Sequence, residues 1–309
     1  MGALASVSVD LDEIHCYTAI HGLEAPSDSA SHVIYRKTIE RFRRLFDDLS
    51  IRATFFVVGR DLEHAHNRQA LRALAIDGHE IGNHSFSHFY DLTRRERDVI
   101  VDEVSTAAGA IEGATGERPV GFRAPGYTVT DTLLDVLEEL AVVYDSSVFP
   151  CPAYYAAKAL AMGSMSVRGR SSRSILDDPR VLGSPADPYR VGKPYWHRGG
   201  SLLELPIGVT STATGRLPFI GTSIVLGGEK VGRRLARWMA ARPLINLELH
   251  GIDLADATED GLSFLAPHQP DLRRSLEKKE RALRATMEQL RDDGARFVTL
   301  KEAAAALRA

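Results

Sequence analysis

Leu244-Ile-Asn-Leu-Glu-Leu-His250 alternates without a break: Ile245, Leu247 and Leu249 point one way, and Asn246, Glu248 and His250 the other, because successive side chains of a strand face opposite sides. Ser6-Val-Ser-Val-Asp-Leu-Asp12 repeats the device, with Val7, Val9 and Leu11 on one face and Ser8, Asp10 and Asp12 on the opposite one. Helix-patterned segments flank both strands, so the apolar face is covered. In a parallel barrel the other face is enclosed, and polar inner residues at a strand's C-terminal end belong to a site. An open sheet with one wet face is the alternative, and the helices on either side weigh against it.

Outward from these two strands the same alternation of elements continues, which argues for parallel strands joined by crossover helices. Helix 36–49 is followed by Ile51-Arg-Ala-Thr-Phe-Phe-Val-Val58, an apolar run of the kind that is buried on both faces. Helix 68–77 stops at Gly78, a suitable residue just past a helix end, and 80–83 is a short strand. Thr93-Arg-Arg-Glu96 reads as a capping box opening a helix to about Glu112. Strand 120–123, a helix capped by Thr130 and running to Leu140, and strand 142–145 follow. From Pro150 to about Gly200 the pattern dissolves into proline, glycine, serine and arginine, and a loop of that length is usually functional or disordered; substrate contacts are expected there. Strand 202–206, helix 229–241, helix 271–293 ending at Gly294, strand 296–299 and a terminal helix complete the chain. No repeat or linker divides it, so residues 1–309 are read as a single domain with an insertion at about 150–200.

The bulk numbers exclude several functions. Across 309 residues, 38 Lys and Arg against 41 Asp and Glu give a formal charge of −3 with no long run of either sign, so no nucleic-acid partner is indicated. Cys16 and Cys151 are far apart and make neither a disulfide framework nor a cysteine zinc site. The chain enters a strand within a few residues of Met1, shows no basic segment followed by an apolar one, and has no stretch that would span a bilayer. A cytoplasmic location is the expectation, with peripheral membrane contact left open.

Chemistry concentrates in Asn83-His-Ser-Phe-Ser-His88. If helical geometry begins near His84, residues four apart share a face, and both rings reach one cation. An H-x-x-x-H pair is a weak signal alone; the carboxylates of Asp10 and Asp12 upstream raise it, since two imidazoles and one aspartate make a facial ligand set with positions left open.

Four segments, Val9-Asp-Leu-Asp-Glu13, Asn83–His88, Gly121-Phe-Arg-Ala-Pro-Gly-Tyr127 and Leu247-Glu-Leu-His250, resemble in this order the polysaccharide deacetylase family, the NodB-homology group of metal-dependent carbohydrate esterases. Ala53-Thr-Phe-Phe-Val-Val-Gly59 and Tyr144-Asp-Ser-Ser147 support the resemblance. It implies an α/β fold, a distorted (β/α)7-type barrel. By position it implies Asp12, His84 and His88 as ligands of one divalent transition metal, zinc first, with cobalt or nickel as alternatives. Asp10 becomes the general base, Arg123 its orienting partner, His250 the general acid, and the Tyr127 backbone amide a contributor to the oxyanion site. Two departures stand out: Leu11 separates the acidic pair, and Gly126 is extra before Tyr127. The alternation still leaves Asp10 and Asp12 on one side.

The chemistry suits these residue types, because a bound cation lowers water's pKa from 15.7 to roughly 7 in favourable sites. A carboxylate accepts the remaining proton, and an imidazole delivers one to the departing amine. The resulting expectation is a metal-dependent N-deacylase acting on an N-acetyl or N-formyl group of an amino sugar, or of a nucleotide-linked or lipid-linked sugar precursor. A deformylase of a lipid-linked aminosugar, a metal-independent amidohydrolase on the same barrel and a non-catalytic carbohydrate-binding protein are the alternatives. Intact ligands, together with Asp10 and His250, argue against the last two. Glu13 ranks below Asp12 as a ligand. His15, His21 and His32 read as surface or substrate-contact groups, and His64, His66, His79, His197 and His268 as structural or solvated. Trp196 beside Tyr195 is as consistent with sugar stacking as with simple half-burial, and Leu217–Gly221 and Ile224–Leu226 read as core at least as well as lipid contacts.

Overall fold

The structure, a computed structural model, describes residues 3–26, 30–167 and 172–308. Its framework is one curled sheet. Seven parallel strands, β1 (Leu4–Asp10), β2 (Thr54–Val57), β3 (Glu80–Asn83), β4 (Gly121–Phe122), β5 (Tyr144–Asp145), β7 (Arg198–Glu204) and β8 (Leu244–His250), lie in the order β7-β5-β4-β3-β2-β1-β8. Between β5 and β7 in sequence, β6 (Tyr189–Val191) pairs antiparallel with β7 at the edge, and β9 (Arg296–Phe297) pairs parallel with the first two residues of β1. The ends of the curl meet through an irregular segment rather than a ladder: Gly208 N–H donates to Asn246 O at 2.9 Å, and Asn246 Nδ2 donates to the carbonyls of Leu205 and Pro206. A Cβ on Gly208 would lie 2.5 Å from that Asn246 oxygen, so only glycine permits the approach. The result is the distorted α/β barrel that the resemblance implies.

Helices α1 (Ile14–Ile20), α2 (Ile39–Asp48), α3 (Ala65–Ile76), α4 (Arg97–Thr115), α5 (Asp131–Glu139), α6 (Pro152–Val167), α7 (Gly221–Met239), α8 (Leu276–Asp292) and α9 (Leu300–Arg308) connect or cover the strands. The packing follows the expected faces. Val7 and Val9 of β1 and Leu247 and Leu249 of β8 are wholly buried in the main apolar cluster, where α2 contributes Ile39, Phe42, Leu45 and Phe46. Phe46 meets Phe55 of β2 edge-on at 6.0 Å. Burying each such side chain is worth about 1.5–3 kcal/mol. Ser8, Asp10, Asn246 and Glu248, on the opposite faces, are also 0–1% exposed, so the barrel interior is polar yet closed.

Several local expectations are corrected. His84 does not start a helix, because Ser85 and His88 have φ of +62° and +51° and the chain coils after β3. Thr93 caps nothing: it lies in the 3₁₀ turn Leu92–Arg94, and α4 begins only at Arg97. The segment 150–200 is not one loop, since α6, the 3₁₀ turn Pro179–Gly183 and β6 occupy much of it; residues 168–171 lie outside the described ones. The helix expected from Glu229 begins at Gly221, and Gly228, at φ +75°, interrupts it. The helix expected from Asp271 starts at Leu276, after a 3₁₀ turn over Pro270–Arg273. Thr130 does cap α5, its hydroxyl accepting from Leu133 N–H at 3.3 Å. Among the described residues no helix is long and apolar enough to cross a membrane.

Candidate active site

The polar interior opens at the C-terminal ends of the strands. β1 delivers Asp10 as its last residue, and the backbone stays extended because Leu11 N–H still donates to Phe56 O, so Asp12 emerges on the same side. β3 delivers the histidines through a tightly held coil. Asn83 Oδ1 accepts Ser85 N–H at 2.9 Å, Ser85 Oγ accepts His88 N–H at 3.1 Å, and the Glu103 carboxylate, reaching in from α4, accepts Phe86 and Ser87 N–H. The two positive-φ residues bring the imidazoles back to one point. His84 Nε2 and His88 Nε2 lie 3.2 and 3.3 Å from the same oxygen, Asp12 Oδ1.

The proton inventory of this cluster is informative. His84 Nδ1 lies 2.7 Å from Arg123 O, and a carbonyl only accepts, so Nδ1 carries a proton and Nε2 of a neutral ring presents a lone pair to Asp12. Two lone pairs facing each other at that distance repel unless positive charge lies between them. Buried Asp12 Oδ1 and both ring nitrogens of His88 have no hydrogen-bond partner among the described residues. Burial pushes the Asp12 carboxyl up, but the His88 and His84 imidazoles outweigh it and hold it well below the usual range; burial likewise opposes charge on His84, and Asp10 and Asp12 overcome it. A proton on the imidazoles or a cation between the three groups relieves that repulsion, and two imidazole nitrogens with one carboxylate oxygen are a set that could hold a divalent transition metal.

On one flank stands Asp10. Arg123, fully buried after β4, donates Nη1 to Asp10 Oδ1 at 2.7 Å and to Ser8 Oγ at 3.0 Å, Nε to Ser146 O and Nη2 to Ser146 Oγ, with the Phe56 ring 4.2 Å from its guanidinium carbon. One Asp10 oxygen is thereby fixed, and the other, Oδ2, has no hydrogen-bond partner among the described residues and lies 3.8 Å from His84 Nε2. On the other flank stands His250, the register partner of Asp10 across the parallel β1–β8 pair. Its Nδ1 lies 2.9 Å from Glu248 Oε1, and its Nε2 lies 3.3 Å from the Tyr127 hydroxyl. Burial works against charge on this ring, yet the Glu248 carboxylate raises its pKa well above the ordinary value. The side chain is still 23% exposed, so a substrate can reach it. Asp10, Asp12, His84, Tyr127 and His250 line one cavity of about 170 Å³, with Tyr17, Tyr90 and Tyr154 completing an aromatic wall.

Residues 29–144 match the family described as Polysaccharide deacetylase. Over that segment the chain is similar to the polysaccharide deacetylase family. Among curated relatives, the peptidoglycan deacetylase-like protein FGM2 of Gibberella zeae is 32% identical over 149 residues, 46% of this chain and 43% of that protein. The chitooligosaccharide deacetylase of Bradyrhizobium sp. is 40% identical over 74 residues, 24% of this chain and 32% of that protein. The chain thus spans less than half the length of these relatives. A Mycobacterium smegmatis crystal structure, provisionally described as a polysaccharide deacetylase, superposes with a TM-score of 0.61 at 18% identity, covering 100% of this chain and 91% of that one, which establishes the shared fold.

The structure brings Asp10, Asp12, His84, His88, Arg123, Tyr127 and His250 together, and it corrects one contribution. The Tyr127 amide, at φ +60° after Gly126 at φ +64°, donates to Ala124 O at 3.1 Å and is not free for an oxyanion; the phenol is what enters the cavity. Glu13 is not in the cluster, since its carboxylate accepts the backbone N–H groups of Ile14, Ile34 and Tyr35, and burial pushes its pKa up to about 8 against those bonds. His79 accepts from Ala53 N–H and is pushed down to about 4 by burial, a structural role. His32 packs on His64 with ring centroids 4.0 Å apart, and His21 reaches Gln269. Trp196 sits under Arg180 and outside the cavity that holds Asp10 and His250, while Phe219 and Ile224 are core. Glu248 was the missed residue. Its place beside Asn246 and His250 on the inner face of β8 was the available signal. Lys158, from α6, also lines the cavity, donating to Gly126 O at 3.1 Å, and burial lowers its pKa to about 8.

Proposed function

We propose that this chain is a metal-dependent N-deacylase that hydrolyses the N-acetyl or N-formyl amide of an amino sugar, working as one domain. One observation carries the reading: three ligand-type side chains from β1 and the β3 coil converge on one point with unpartnered buried donor atoms, between an aspartate and a histidine that face the same cavity. A divalent cation held by Asp12, His84 and His88, zinc being the simplest choice, would polarise the acyl carbonyl and acidify water. Asp10, with Oδ1 tied to Arg123, offers Oδ2 to take a proton from the water that attacks the acyl carbon. As the C–N bond breaks, His250 passes its proton to the departing nitrogen, giving a free amine and a carboxylate. Glu248 suits His250 to this task by keeping it protonated near neutral pH. The Tyr127 hydroxyl, within reach of His250, is placed to hydrogen-bond the developing oxyanion or the leaving group.

The test is direct. Metal-loaded protein incubated with N-acetylated and N-formylated amino sugars should release acetate or formate. His84→Ala should lose the metal, about one per chain in the wild type by elemental analysis, together with the activity. Sugar binding with neither product released would make the chain a carbohydrate-binding protein on the same barrel.

A further inference from the structure

Beside the catalytic cavity lies a second, larger hollow of about 760 Å³, and the two share Tyr90 and Ser174 in their walls, with His88 on the side of the larger one. Its charge is one-sided. Arg60, Arg94, Arg95 and Arg173 line it, and among the described residues Asp91 is its single carboxylate. Asp91 is spent on Arg95, at 3.0 Å, and the Arg95 guanidinium lies flat on Phe89 at 3.6 Å. Arg60 donates to Ser87 Oγ, and among the described residues neither Arg60, Arg94 nor Arg173 has a carboxylate partner. Three uncompensated guanidinium groups thus surround one groove in a chain whose formal charge is −3. They are exposed, so they cost little in the free protein. Guanidinium forks pair with carboxylate and phosphate oxygens in preference to neutral hydroxyls, and like charges gathered at a cleft raise the local concentration of oppositely charged ligand.

Resting on the deacylase reading for the identity of the adjoining cavity, we infer that this groove is an oxyanion subsite: the substrate carries a phosphate or carboxylate on the far side of His88 from the scissile amide. The catalytic cavity, at about 170 Å³, is open at its mouth and is where the scissile amide would sit. A substrate larger than that space extends out of it, and the arginine groove shares two residues of its wall. The apolar side chains of Ile175 and Leu176 give the sugar face something to lie against while the guanidinium groups take the charge.

Binding and turnover are measured separately on metal-loaded protein. Calorimetry on the Asp10→Asn variant compares N-acetylglucosamine, N-acetylglucosamine 1-phosphate and N-acetylmuramic acid; at least one charged sugar should bind tenfold or more tighter than the neutral one. A preference for the phosphate, the carboxylate or both supports the subsite and says which oxyanion it takes. In the Arg94→Gln/Arg173→Gln background that preference should fall at least tenfold, whereas Arg118→Gln, at the opposite end of the barrel, should leave it intact. No preference, or one that survives the double substitution and so arises at the metal, overturns the inference. Acyl release is then followed with the wild type. Arginine-dependent binding without release from any of the three sugars would leave the subsite standing and sink the deacylase reading.

Discussion

Asp10 and His250 sit opposite each other in neighbouring strands, each beside a buried partner of opposite charge, yet the two pairs are built differently. Arg123 spends donors on Asp10, Ser8 and both the carbonyl and hydroxyl of Ser146, so one carboxylate oxygen is fixed from a rigid, satisfied frame. Glu248 holds His250 through a single 2.9 Å contact and makes no further hydrogen bond among the described residues. The difference matches the work proposed for each. A base that must stay charged and aimed benefits from a fixed anion. An acid that has to release its proton and recover it needs a partner that raises its pKa without locking the ring.

The largest effect should come from removing the base itself. Asp10→Asn should keep the metal and the fold but lose about 10²–10⁴ in kcat, the usual worth of a positioned general base; preserved turnover would show that another group takes the proton. Arg123→Met attacks the frame instead. It strands a buried aspartate and the polar groups around it, and breaking one partner of a buried pair costs about 3–5 kcal/mol. Chemical denaturation should register that loss; a change below about 1 kcal/mol would mean that Asp10 is held by something other than the guanidinium.

The contrast between these pairs also marks what the sequence made legible. The inward placement of Asp10, Asp12, Glu248 and His250 followed from strict alternation in two long strands, because strand geometry leaves side chains no choice of face. The metal-type cluster was readable only as residue types. Its geometry depends on Ser85 and His88 at positive φ, held by Asn83 and Glu103, and no periodicity encodes such a coil. Arg123 and Tyr127 could be placed only through the family resemblance, since β4 and β5 are two residues long and too short to show a pattern. Helix α6 escaped notice because its residues beyond Pro152 are mostly small or apolar, with little contrast between faces; none of them is fully buried, so no apolar stripe was needed to hold it. The arginine groove gathers residues from five separate segments, and only the fold brings them together.

A pH profile sharpens the comparison at intermediate size. His250 is raised by Glu248, so its protonated form persists above the ordinary histidine range and is lost as pH rises through the raised value. The basic limb of kcat/KM should accordingly lie above about pH 6.5, the unperturbed imidazole pKa. Glu248→Gln removes the charge that does the raising, and the limb should move toward lower pH, with roughly tenfold less activity at pH 8 and a smaller loss at pH 6. An unmoved limb would assign it to another group.

The smallest change asks whether the phenol beside His250 takes part at all. Tyr127→Phe deletes one hydroxyl, 3.3 Å from His250 Nε2, and leaves the ring against Phe149 and Tyr154. If the hydroxyl only packs, kcat and KM both stay put. If it donates to an oxyanion that forms only as the acyl carbon is attacked, kcat should fall while KM holds, by a factor of about 5–10, the worth of one hydrogen bond near 1 kcal/mol. Because the Tyr127 amide is already bound to Ala124 O, the substitution cannot be rescued from the backbone. A loss confined to KM would place the hydroxyl on the bound sugar instead of on the reacting carbonyl.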